Sequence, residues 1–191
     1  MFIVNSYLLA VVFCFITMLC WGSWGNTQKL AGKTWRYELF YWDYVIGMVL
    51  FALVLGFTMG SIGSEGRPFV EDLMQADGKG IISVLIGGVI FNASNILLSA
   101  SVSLAGMSVA FPLGVGLALV LGVIINYMGA PKGDPTLLFI GVALVVVAII
   151  CNGLASGRMT KSGEASASNR KGIILSMVAG VLMSFFYRFV A

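Results

Sequence analysis

The chain has 191 residues, 59% of them hydrophobic and only 10% charged, with 24 glycines and a formal net charge of +3. A balance this apolar lies outside the range of soluble domains, and the small basic excess sits in short connections rather than on one face, which excludes a nucleic-acid partner. Histidine is absent, which removes the commonest metal ligand and the usual near-neutral proton carrier.

Charge-free stretches set the architecture. Residues 80–131 carry no Asp, Glu, Lys or Arg, and a membrane-spanning helix needs about 20 apolar residues. That gap therefore holds two spans back to back, joined only by the small-residue stretch 101–106. In chain order the predicted spans are 3–23, 40–60, 80–101, 107–128, 135–155 and 172–190. All are expected to be helical, because separate open segments in lipid must satisfy their own backbone groups. The first is a retained span rather than a cleaved signal: the first basic residue, Lys29, follows it where a signal peptide begins with one. Between the second and third spans, Pro68 stands as for a helix start, and Phe69 and Leu73 lie one turn apart, which predicts a short interfacial helix. The segment 157–169 is rich in Ser, Gly and Ala and reads as a flexible linker.

Orientation follows from Lys and Arg. Lys29, Lys33 and Arg36 follow the first span, and Arg158, Lys161, Arg170 and Lys171 follow the fifth; Arg67, Lys79 and Lys132 lie on the other side. Seven against three predicts an outside N-terminus and a cytoplasmic 157–171 linker in an inner or plasma membrane.

Polar groups inside the spans need a reason, since each is costly in lipid. Gly88, Asn92, Asn95, Ser99 and Ser103 follow one another at helical spacing in the third span. Two readings stand: a polar wall facing a solute cavity, or interhelical hydrogen bonds with small-residue packing. The sequon at Asn92 lies mid-membrane and is set aside. Pro112, with Gly114 and Gly116, opens the fourth span and suggests either an interrupted helix whose freed backbone faces a cavity or a tolerated kink. All four tryptophans lie between Cys20 and Tyr44, interleaved with Asn26, Gln28 and Asp43. An aromatic belt at the headgroups explains part of this; rings beside hydrogen-bonding groups also suit a planar or sugar-like solute. Asp43 either sits near a helix N-terminus, where an acid is favoured, or couples transport to protons. Gly56 and Gly60, and then Ser176, Gly180 and Ser184, have the four-residue spacing of close helix contacts. Cys14, Cys20 and Cys151 fall inside spans and read as small apolar fillers.

Trp21-Gly22-Ser23-Trp24, then Glu38-Leu39-Phe40-Tyr41-Trp42-Asp43-Tyr44, resemble the ureide permease-like group of the drug/metabolite transporter superfamily, near the bacterial glucose/ribose porters. The Asn92 to Ser103 stripe and Pro112-Leu113 extend the resemblance over essentially the whole chain. It implies an all-α, ten-span carrier of two inverted five-span repeats, moving ureides, nucleobases or sugars, often with protons. Residues 1–156 would be the first repeat, 157–171 a linker and 172–191 the first span of a second repeat, so the chain is expected to be one half that needs its remaining half or a second copy.

The expected function is an alternating-access permease with solute contacts at Trp21, Trp24, Asn26, Asn92, Asn95 and Pro112, and Asp43 as the ion-coupling group. A small multidrug exporter acting as a dimer needs an acid in its first span, and 1–28 has none. A non-transporting membrane scaffold has no need of the polar stripe. No acid–base pair, nucleophile triad or metal cluster can be assembled from these residues, so neither catalysis nor a cofactor is expected.

Overall fold

A computed structural model describes residues 2–63, 66–131, 133–159 and 167–190. The described residues form seven helices and no strand: α1 (Tyr7–Ala31), α2 (Tyr37–Phe57), α3 (Phe69–Gln75), α4 (Gly78–Ala105), α5 (Met107–Gly129), α6 (Pro135–Met159) and α7 (Ala167–Val190). All except α3 are long and apolar enough to cross a membrane. Large apolar side chains such as Leu8, Phe51 and Leu144 are exposed on the chain's own surface, while the largest fully buried side chains among the described residues are Leu98 and five serines: Ser94, Ser99, Ser101, Ser176 and Ser184. A soluble protein has the opposite distribution. Among membrane helices, small polar residues belong at the contacts and large apolar ones face outward.

The chain divides into two compact units, one ending at Ile81 and one beginning at Ile82. In the first, α1 and α2 are joined by only five residues, because α1 runs to Ala31 rather than stopping at 23. The aromatic and polar segment is thus helical on α1 as far as Ala31 and again from Tyr37, with Trp35 and Arg36 in the turn between. Hydroxyls of α1 are satisfied inside the helix: Thr17 donates to the Phe13 carbonyl at 2.9 Å and Ser23 to that of Leu19 at 2.8 Å. The expected short helix is present as α3, with Pro68 at its N-cap. The Phe69 ring meets Phe57 edge-on with centroids 5.6 Å apart and lies over Gly56. Gly60 falls beyond the end of α2 and donates to the Leu55 carbonyl. Gly56 therefore makes a close contact with α3 within this chain, while Gly60 shapes the end of α2.

In the second unit the 101–106 stretch is not a loop. α4 continues to Ala105, and a single residue, Gly106, reverses the chain with φ +81°, a conformation that glycine adopts without a Cβ penalty. α6 begins on Asp134, whose carboxylate accepts from the Thr136 amide at 2.7 Å, with Pro135 in the first helical position. α7 lies antiparallel to α4: Ser83 donates to the Phe189 carbonyl, Ser94 to Ala179 and Ser101 to Gly172, at 2.7–2.8 Å. It lies parallel to α5, with Ser176 donating to the Ala110 carbonyl at 2.6 Å and Gly180 set against Gly114 and Leu117. α6 returns antiparallel along α5, with Gly116 against Ile149 and Tyr127 edge-on to Phe139. Arg188 lies on Gly129, at the C-terminal end of α5 where a cation is favoured. The Ser176/Gly180/Ser184 spacing is thus an internal contact face of α7. The linker expected at 157–171 is helical at both ends, to Met159 and from Ala167; its middle, 160–166, lies outside the described residues.

Candidate functional site

The first unit gathers part of the aromatic cluster. Trp24 stacks on Tyr44 with ring centroids 5.7 Å apart and planes 22° apart, and Tyr44 meets Tyr41 at 5.8 Å. Gly25 on α1 is buried, as are Gln28 and Tyr41. Gln28, one turn beyond Trp24, is only 3% exposed. Trp21 is 37% exposed, and Asn26 is exposed. Of the three residues expected on α1, the structure brings only Trp24 into the stack. Gln28, Tyr41 and Tyr44 are the residues that site reasoning passed over. Their signal was present: Trp24 and Gln28 are spaced i, i+4, and Tyr41 and Tyr44 i, i+3, each pair on one helical stripe.

Asp43 is exposed on α2. It is the seventh residue of the helix, about 9 Å along the axis from Tyr37. A helix dipole acts within the first turn, so the end-of-helix explanation does not account for this carboxylate. Glu38 does occupy the first turn, 3.3 Å from Arg36, but Arg36 is exposed and Glu38 only half-buried, and such a pair contributes little.

In the second unit the predicted stripe divides. Asn95 and Ser99 are buried, whereas Asn92 and Ser103 are exposed. Asn92 Nδ2 donates to the carbonyl of Gly88, one turn back in its own helix, at 3.0 Å. The inward face of α4 is instead Gly87, Ser94, Asn95, Leu98, Ser99, Ser101 and Val102. Ser94 and Ser101 serve as the structural donors to α7 described above. Sequence periodicity alone does not decide which flank of a polar stripe turns inward, because α4 is polar or small on more than half its circumference. Asn95 stands apart: it is 3% exposed, and its Nδ2 is buried with no hydrogen-bond partner among the described residues.

Pro112 lies inside α5, which runs through it from Met107 to Gly129 without a break. Of the two readings at Pro112, the helix is continuous rather than interrupted. The flanking glycines are packing residues: Gly114 faces Leu98 and Ser176, while Gly116 faces Ile149. The backbone contact near Pro112 is at Ala110, whose carbonyl accepts from Ser176.

Six membrane-length helices with small polar contacts and a buried amide define a multi-pass membrane protein. The profile of the ureide permease family matches residues 40–172, and the chain belongs to that family. It is 28% identical over 163 residues to ureide permease 2 of Arabidopsis thaliana, covering 83% of this chain and 41% of the relative. It is 25% identical over 157 residues to ureide permease 1 of the same plant, covering 81% and 40%. A probable ureide permease A3 of Vigna unguiculata is 26% identical over 146 residues, covering 73% and 39%. The chain spans about two-fifths of the length of these curated relatives. No solved structure matches it significantly.

Proposed function

We propose that this chain forms part of a secondary transporter that carries a small polar solute, of the ureide, nucleobase or sugar kind, across an inner or plasma membrane by alternating access. Family membership supports the transporter reading, and the observation that carries it is the buried amide of Asn95 within a membrane-length helix. A polar group kept out of both lipid and water is costly unless it has work to do. The proposed solute contacts are Trp21, Trp24 and Asn26 on α1, Asn92 and Asn95 on α4, and the backbone near Pro112 on α5. Asp43 is proposed as the proton-coupling group, because its depth in α2 is not explained by the helix terminus.

The proposal extends to architecture: two inverted five-span repeats, residues 1–156 being the first, 157–171 a cytoplasmic linker and α7 the opening of the second, with the N-terminus outside. Transport then requires the remaining half or a second copy, since inverted-repeat carriers place their site between two halves. The test is solute uptake by the intact natural protein, scored separately from surface expression, for Asn92→Ala, Asn95→Ala and Asp43→Asn. Hydrogen bonds that only hold membrane helices together average about 0.6 kcal/mol, so a purely structural amide tolerates alanine. The expected result is normal surface amount with uptake lost in Asn95→Ala and reduced in Asn92→Ala, and with uptake no longer driven by a proton gradient in Asp43→Asn. Normal uptake in both asparagine variants would return the stripe to helix packing.

A further inference from the structure

We propose that Asn95 is a specificity-determining donor, its Nδ2 giving a hydrogen bond to the carbonyl oxygen of a small amide- or urea-type solute; the proposal rests on the transporter reading above.

The two asparagines of α4 differ in what their amide donors are doing. Asn92 Nδ2 is already engaged by the Gly88 carbonyl at 3.0 Å. Asn95 Nδ2 is enclosed in a residue 3% exposed and meets no acceptor among the described residues. Two serines of the same helix are engaged with α7: Ser94 donates to Ala179 and Ser101 to Gly172, both at 2.7 Å. α4 is thus held to α7 by hydroxyl donors whose bonds are made, while the Asn95 amide donor beside them is held open. A buried donor left unmade destabilises a fold, and native structures rarely keep one without a ligand, a water or a functional role. An amide N–H is a donor only, so what completes it must offer a lone pair. A carbonyl oxygen offers one in its own plane, at N···O of about 2.9 Å. A site built around such a donor discriminates strongly against analogues that lack the acceptor, because the donor is then left unpaired. A water molecule offers the same oxygen chemistry, and the experiment separates the two.

In the intact natural protein with Cys14, Cys20 and Cys151 replaced by serine, Asn95→Cys is exposed to a small water-soluble methanethiosulfonate, with and without allantoin, uracil or glucose. Ala179→Cys, at the α4–α7 contact and 1% exposed, is the packing control. The expected result is labelling of Asn95→Cys but not of Ala179→Cys, blocked by allantoin or uracil at concentrations at least about tenfold above those that saturate uptake by the unsubstituted protein, because the variant lacks the donor, and not by glucose at the same concentration, which has no carbonyl in its ring form. Alongside, Asn95→Asp, which keeps the shape and removes the donor, is expected to lower uptake of the protecting solute at least about tenfold while Asn95→Gln retains part of it. Absence of labelling, or labelling that none of the three solutes blocks, assigns the donor to a structural water and overturns the proposal. Equal protection by glucose overturns the carbonyl assignment. If the unsubstituted protein takes up none of the three solutes while Asn95→Cys is still labelled and protected, the transporter reading fails and the binding assignment stands.

Discussion

Gly180→Ala adds one methyl group where α7 runs against the backbone of α5. A Cβ built on Gly180 would stand 2.6 Å from the Gly114 carbonyl oxygen and 3.1 Å from Leu117 Cβ. The first neighbour is backbone and cannot rotate aside, so the two helices must separate by roughly 0.8 Å to restore ordinary contact near 3.4 Å. Separation also stretches the Ser176–Ala110 hydrogen bond, now 2.6 Å, which lies one turn away. Overpacking of this kind costs about 1–3 kcal/mol. The substitution also raises helix propensity by about 1 kcal/mol, which masks part of the loss. Gly141→Ala on α6 supplies the correction, since nothing lies within 4 Å of its added Cβ and it gains the same propensity. The difference between the two variants isolates the packing cost, about 1–3 kcal/mol or about 5- to 150-fold in the unfolding equilibrium. Unfolding in mixed detergent micelles, followed by helical circular dichroism, measures it. Two variants within about 0.5 kcal/mol of each other would refute the close α5–α7 approach and, with it, the parallel packing of these helices.

The antiparallel α4–α7 contact has its own test: with the three native cysteines removed, Ser94→Cys paired with Ala179→Cys is expected to crosslink under mild oxidation, as Ser94 Oγ already lies 2.7 Å from the Ala179 carbonyl. The pair Ser94→Cys with Val89→Cys, on one helix more than a turn apart, is expected to stay reduced, and the reverse pattern would contradict the register. For topology, a cysteine at Lys33 is expected to react with an impermeant thiol reagent only after the cells are opened, and one at Asp77 in intact cells. Reaction at Lys33 from outside would invert the orientation drawn from the Lys/Arg count.

Charge-free length alone determined that this chain is a bundle of membrane helices, because lipid leaves an isolated segment no other way to satisfy its backbone. The same reading found the helix over Phe69–Gln75 and the family resemblance, since proline placement and aromatic motifs are local features of the chain. Helix ends were less legible: the 101–106 stretch looks like a loop by composition, yet a one-residue turn at Gly106 is enough once α4 and α5 pack on α7. The inward face of α4 was not legible at all. Asn92 and Asn95 have the same chemistry and lie on one stripe, yet in the packed bundle, where Ser83, Ser94 and Ser101 tie α4 to carbonyls of α7, Asn95 is buried and Asn92 stays exposed. A polar stripe is a property of one helix, whereas burial is a property of its neighbours, and those neighbours lie up to 106 residues away in the chain.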